Sequence, residues 1–309
     1  MAGNKRTSSS LAATGGTATR RRTTTSVAAA AAQTNQPEPD VVQSTSEATA
    51  QDNTDPPTSV TTPNLSKHIM NLLGSKAAAK KSLEWMLKVG LYDPRSDAEN
   101  DPTQKTDEEL KETASRTVKL GIFPSLLSCI FTFQDAEVIV EEALAVFGAL
   151  LRILDDFGDL LMAIELDALA SIIGSMKAHP QNSMILRMSI YSLGVCFGLV
   201  DGKRIENLQE TNDAAISKLL EIDGSLATII SCTDSEELKT HQPANRNLMN
   251  LIFDIIECDN DLGRKYKMRE LLVAEGAITK VAKVLETFTE DEEVQECARE
   301  AMYKLIPKE

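Results

Sequence analysis

The sequence is poor in the residues that carry most protein chemistry. Its 309 residues include 3 histidines, 5 cysteines and a single tryptophan. His68, His179 and His241 lie in separate regions and have no partner at metal-ligand spacing, which argues against a zinc site. The sequence also has no glycine-rich phosphate loop, nucleophile elbow or His-Glu-x-x-His motif. These absences predict a chain that is not an enzyme and that uses no cofactor or metal.

Long apolar runs are missing as well. No stretch of 18 apolar residues occurs, so no membrane span is predicted. The first 37 residues lack the apolar core of a secretory signal. The cysteines are odd in number and scattered, which fits packing positions better than disulfides. We therefore expect an intracellular protein.

Aromatic residues are absent from the first 64 residues, which are rich in Ser, Thr and Ala. Because such a segment cannot bury enough apolar surface to offset chain entropy, residues 1–64 are predicted to be a disordered tail. The tail carries two basic clusters, Lys5-Arg6 and Arg20-Arg21-Arg22. They resemble a bipartite nuclear localisation signal, which favours a cytoplasmic and/or nuclear protein. An organelle transit peptide and a plain solvated tail stay open as alternatives.

Negative charge is concentrated in the rest of the chain. The tail contains five basic and five acidic residues, so the whole net charge of −14 belongs to residues 65–309. A body of that charge repels phosphate backbones, which argues against direct nucleic-acid binding by this region. The natural complement is a basic peptide or a basic patch on a protein.

What the sequence does contain is a helical pattern that occurs four times, starting at Gly121, Asp167, Gly224 and Gly276. Apolar residues follow two and five positions after each start: Phe123, Leu169, Leu226 and Ile278, then Leu126, Ile172, Ile229 and Val281. A small residue follows 22 positions after three of the starts, in Ala143, Ser189 and Ala298. In the third copy we place the second helix two residues earlier, with Ala244 as the small residue and Leu251 as the closing one, and hence a shorter linker. Spacings of 3, 4 and 7 define one face of a helix, so these units must stack to bury their stripes.

A shorter helix is predicted before each start, at 107–119, 157–165, 212–222 and 262–274. Gly121, Gly224 and Gly276 then fall just past a helix end, where positive φ closes the turn. Asp167 lacks this freedom, and we expect its turn to close differently.

Residues 65–92 are predicted to form a helical N-terminal cap over the first repeat. The alternative is that Trp85 is exposed there as a binding anchor. Residues 93–105 are predicted to be a linker, followed by a repeat domain over 106–309.

The segment 271–278, Leu-Leu-Val-Ala-Glu-Gly-Ala-Ile, followed by 293–298, Glu-Val-Gln-Glu-Cys-Ala, resembles an armadillo repeat. The segment 167–182, with its His-Pro loop, resembles the same unit. The resemblance covers about residues 106–307. It implies an all-α fold: an armadillo-like right-handed α-solenoid of about four three-helix repeats, with the N-terminal cap and the disordered tail before it.

The same resemblance implies a non-catalytic scaffold or adaptor that binds a peptide or protein segment on a concave face. In importin-type members, which bind peptides, a ladder of Trp and Asn side chains lines that face. The Trp lies two residues after the small residue, and the Asn lies six residues after it. Only Asn250 matches this ladder, so an importin-like mode is not supported. The candidate groove residues are Tyr191, Arg246, Asn250, Glu300 and Lys304. A chaperone cofactor or assembly factor of armadillo type is the alternative, and an enzyme of unrecognised class is a weaker one.

Overall fold

The computed structural model of the chain describes residues 60–89, 107–154, 157–197, 199–200, 203–204 and 209–306. All of them belong to one compact unit, which spans Asp55–Glu309. Residues 1–59, with both basic clusters, and the predicted linker 93–105 lie outside the described residues.

The regular secondary structure of the described residues is helical apart from two antiparallel strands of two residues each, which agrees with the all-α prediction. In the N-terminal part the helices are α1 Thr62–Asn71, α2 Lys76–Val89, α3 Asp107–Lys119, α4 Ile122–Thr132, α5 Glu137–Ile153, α6 Phe157–Glu165, α7 Ala168–Ala178 and α8 Ser183–Cys196. After the strands β1 Leu199–Val200 and β2 Lys203–Arg204 follow α9 Gln209–Glu221, α10 Ser225–Ser231, α11 Gln242–Asp261, α12 Met268–Ala274, α13 Ala277–Thr287 and α14 Glu292–Leu305. None of these helices is long and apolar enough to cross a membrane.

From α3 onward, each group of three helices has a leading, a middle and a final member. The leading helices α3 and α6 have the predicted bounds, and α9 begins three residues before its predicted start. The fourth differs, because α12 begins only at Met268. The carboxylate of Asp259 accepts hydrogen bonds from the backbone N–H groups of Tyr266 and Met268, both at 2.8 Å. This buried side chain holds residues 262–267 in a turn, so the prediction of a helix from 262 was wrong.

The turn before each middle helix has one geometry in all four groups. The residue at the turn adopts positive φ: 83° at Gly121, 64° at Asp167, 63° at Gly224 and 91° at Gly276. The expectation that Asp167 closes its turn differently was therefore wrong. Aspartate tolerates the left-handed region better than most residues do, since its short polar side chain can bond locally. Its carboxylate also lies 3.1 Å from Nζ of Lys218 in the next group.

The N-caps of the final helices correct the register of the third copy. The side chains of Asn182, His241 and Asp291 each accept a hydrogen bond from the backbone N–H three residues later, at the starts of α8, α11 and α14. Ala244 therefore corresponds to Ile185 and Val294, not to the small residue. Because the connection 232–241 has ten residues against four in 179–182, the linker is longer, not shorter as predicted.

The final helices pack in sequence order. Helix α2 contacts α5, α5 contacts α8, α8 contacts α11 and α11 contacts α14, while α4 contacts α7 and α7 contacts α10. One continuous cluster of buried apolar side chains runs from Ile69 to Leu305. The repeated apolar positions all belong to it as buried residues except Ile278, which is half-buried. Each group thus buries its apolar stripe against its neighbours.

At the N-terminal end, α1 and α2 pack together and α2 covers α5. Trp85 is half-buried against the core, and its ring stacks on His68 with centroids 4.1 Å apart and planes 7° apart. His68 in turn lies 3.0 Å from Oγ of Ser82 through Nδ1. The indole ring of Trp85 is therefore packed against neighbouring side chains. Helix α1 begins at Thr62, inside the segment predicted as tail.

Candidate functional site

A groove lies where α5, α8 and α11 meet. Its volume is about 150 Å³. We use "the groove" for this depression, which is lined by Ala145, Ala149 and Arg152 of α5, Arg187, Met188 and Tyr191 of α8, and Pro243, Ala244 and Asn247 of α11.

Small residues on α5 keep the groove open. Ala145 and Ala149 lie one helical turn apart on the same face, and neither side chain reaches beyond its Cβ. Gly148 lies beside them, and a Cβ there would come within 3.1 Å of Cδ1 of Tyr191 and of Oγ of Ser192. The absence of that Cβ lets the tyrosine ring pack directly onto α5. The groove therefore has an aromatic wall that is half-buried in the core.

The charged residues that line the groove are Arg152 and Arg187. Arg187 is half-buried and forms no ion pair with any described residue. It lines the groove together with Pro243 and Ala244 at the start of α11. Burial first and the charge of Arg187 second lower the pKa of His241. A neutral His241 ring is what the cap requires, since its Nδ1 accepts from the N–H of Ala244 at 3.2 Å. Arg187 thus lines the groove and also favours the neutral His241 ring, which accepts the capping hydrogen bond.

Ion pairs cross between α11 and α14, on the other side of α11. Arg246 pairs with Glu293, and Nζ of Lys304 lies 2.8 Å from Glu257. Lys304 also lies over the ring of Phe253, 5.1 Å from its centroid. We call the surface formed by these five residues the bridged face. Charged side chains there connect α11 to α14.

The five predicted groove residues fall on three helices. Tyr191 lines the groove, whereas Arg246 and Lys304 belong to the bridged face. Asn250 is half-buried on α11, and Glu300 is exposed on α14. Counted from the N-caps, Asn250 corresponds to Tyr191 and Glu300, not to the Asn position of the ladder, so its match was an error of register.

Apart from Tyr191, the residues that line the groove were not among those predicted: Ala145, Ala149, Arg152, Arg187, Met188, Pro243, Ala244 and Asn247. A usable signal existed in the caps. Asn182 before α8 and Asp291 before α14 are favoured N-cap residues, so the starts of both helices could be located in the sequence. Counting residues from these caps would have placed Arg187 near the predicted groove residue Tyr191.

The histidines serve the fold. The buried ring of His179 lies 2.7 Å from the carbonyl oxygen of Gln134 through Nε2, and 3.4 Å from Glu137 through Nδ1. It thereby connects the loop after α7 to the loop before α5. Among the described residues, no group of three or more His, Cys, Asp or Glu side chains could hold a metal ion. Burial raises the pKa of Cys196 and of Cys232 to about 12, so both are weak nucleophiles at neutral pH.

Comparisons with known proteins identify no function, so the geometry of the groove is the main guide to it. No family model matches the chain, and the search of curated proteins finds no match.

Proposed function

We propose that the chain is a non-catalytic scaffold or adaptor that binds a peptide or protein segment, built as an armadillo-like α-solenoid. The recurring three-helix groups, their common left-handed turn and the side-by-side packing of α5, α8, α11 and α14 support the architecture. In this proposal α1 and α2 act as the terminal cap of the repeat array.

The observation that carries the binding function is the groove. It is lined by the half-buried ring of Tyr191, by alanines of α5 and by the amide of Asn247 on α11. An aromatic side chain with few rotatable bonds loses little entropy on binding and is enriched among residues that dominate interface energies. The amide can both donate to and accept from a peptide backbone.

Site-specific crosslinking in the full-length protein tests this function. A photoreactive amino acid would replace Asn247 in the groove and, as a matched control, Glu286 on the exposed side of α13. We expect discrete adducts in native cell extract from position 247 only, and we expect Tyr191→Ala to remove them. Identical adducts from both positions, or adducts that persist in Tyr191→Ala, would contradict the proposal.

A further inference from the structure

We propose that the groove selects an acidic segment of its partner, with a carboxylate at Arg187 and a neighbouring apolar side chain against Tyr191. The inference rests on the proposed function and defines the chemistry of the partner. It reverses the expectation from net charge, which favoured a basic partner.

The charge of the groove differs from the charge of the chain. The chain carries a net charge of −14, yet both charged residues that line the groove are arginines. Arg152 lies in the last turn of α5, where a cation also stabilises the helix dipole. Association is guided by the local potential of the binding surface, so a groove lined by arginine favours a negative ligand even on an acidic protein.

A comparison of equivalent positions singles out Arg187. It lies five residues after the N-cap of α8, and Arg246 lies five residues after the N-cap of α11. Arg246 is paired with Glu293 of the next helix, whereas Arg187 has no such partner in the described part of the chain. The residue of α11 that corresponds to Glu293 is Pro243, which has no charge and lines the same groove as Arg187. The guanidinium of Arg187 is thus available for a carboxylate from outside.

Glu237, an acidic side chain near His241, does not neutralise Arg187. Glu237 is close enough to raise the pKa of His241, in opposition to Arg187, but it is exposed and forms no ion pair with that arginine. A planar guanidinium can bind a carboxylate through two parallel hydrogen bonds, which makes half-buried arginine more selective for carboxylates than lysine is.

The other residues that line the groove determine the second feature of the ligand, an apolar side chain. Ala145, Met188 and Tyr191 present apolar surface beside Arg187. Methionine adapts its shape to different apolar side chains, and the tyrosine ring supplies a rigid contact. We therefore expect an Asp or Glu followed or preceded closely by an aliphatic or aromatic residue.

Selection from a random 12-residue peptide library on the full-length protein tests the inference. We expect the enriched peptides to combine Asp or Glu with an apolar residue. A selected peptide, labelled with fluorescein, is then titrated by fluorescence anisotropy. Replacing its acidic residue by the corresponding amide, or Arg187→Gln in the protein, should each weaken binding about tenfold, and the two changes together should cause no further loss. The matched variant Arg246→Gln should bind as the unaltered protein does.

The outcomes separate the two proposals. Enriched peptides without acidic residues, or equal affinity of Arg187→Gln for the selected peptide, would overturn the acidic specificity. If Tyr191→Ala still weakened those peptides, the groove would remain the binding site and the proposed function would stand. If neither variant changed binding, or no peptide were enriched, both proposals would fail. Thermal unfolding of each variant confirms that the compared proteins are folded.

Discussion

The two sides of helix α11 meet their neighbours in different ways. Toward α8 and α5, alanines and one glycine leave a groove with an aromatic wall. Toward α14, an arginine and a lysine reach across to glutamates and close the surface. The packing order of the helices is the same on both sides. The contrast shows that the same order of helix packing leaves one side of α11 with a groove and the other with ion pairs, according to the side chains at each contact.

The largest expected effect comes from adding one methyl group behind the groove. In Gly148→Ala the new Cβ would lie 3.1 Å from Tyr191 and from Ser192, so the ring must move. We expect the free energy of unfolding to fall by about 1–3 kcal/mol. Urea denaturation measures the change.

Gly174→Ala in α7 is the matched control, because the nearest neighbouring atom to its new Cβ would be Nε2 of Gln134 at 4.0 Å. This variant should gain up to about 1 kcal/mol, since alanine is the better helix former. Equal shifts in both variants would mean that the groove wall is not tightly packed at Gly148.

Removal of the aromatic wall should weaken binding strongly. Tyr191→Ala is expected to raise the Kd of a selected peptide about tenfold, which corresponds to about 1.4 kcal/mol. Tyr303→Ala on α14 provides the comparison, because that tyrosine is 57% exposed and lies outside the groove. Anisotropy titrations that show equal losses for both tyrosines would remove the distinction between the groove and the rest of the surface.

Double-mutant cycles should rank the two ion pairs of the bridged face. The side chains of Lys304 and Glu257 are 27% and 20% exposed, whereas those of Arg246 and Glu293 are 40% and 74% exposed. We expect a coupling energy of about 0.5–1 kcal/mol for the first pair and a smaller one for the second, because solvent screens exposed pairs. Unfolding at 0.05 M and 1 M salt provides a second measurement, since only the more exposed coupling should disappear fully at high salt.

The smallest effect concerns pH at the start of α11. Burial and Arg187 lower the pKa of His241 below its ordinary value of 6.5. The unfolded chain therefore binds the proton more readily, so the stability contributed by the neutral cap is present above pH 6.5 and is lost as the pH falls through the lowered pKa. We expect His241→Asn, which keeps a capping oxygen, to lessen the pH dependence of stability by less than about 1 kcal/mol between pH 7 and 5. An unchanged pH profile would show that the cap does not depend on the neutral ring.

Much of the helical fold could be predicted from the sequence because apolar spacing and turn glycines are local signals. Two leading helices have the predicted bounds, and the repeated apolar positions are in the core. The register of α11 could not be predicted in this way, because Ala244 and Leu248 both fit the apolar stripe and histidine is an uncommon cap. The late start of α12 was missed for another reason, since Asp259 caps it from the preceding helix.

The groove was less predictable than the fold. Tyr191 could be identified as lying beside the core stripe, but Arg187 becomes distinctive only when its neighbours are known. The sequence shows Arg187 and Arg246 as two similar basic residues. They differ in the structure because Arg246 pairs with Glu293 on the next helix.

Asp167, at the turn before the middle helix of the second group, affects how the helical groups separate. A glycine at this position has no side chain with which to reach the next group, whereas Asp167 reaches Lys218 of α9. Lys177 of the same group bonds the carbonyl oxygen of Asp223. These two contacts connect the second group to the third. Under hydrogen exchange or mechanical load, the α6–α8 and α9–α11 groups should therefore open together, with the α8 and α11 residues of the groove in the same block.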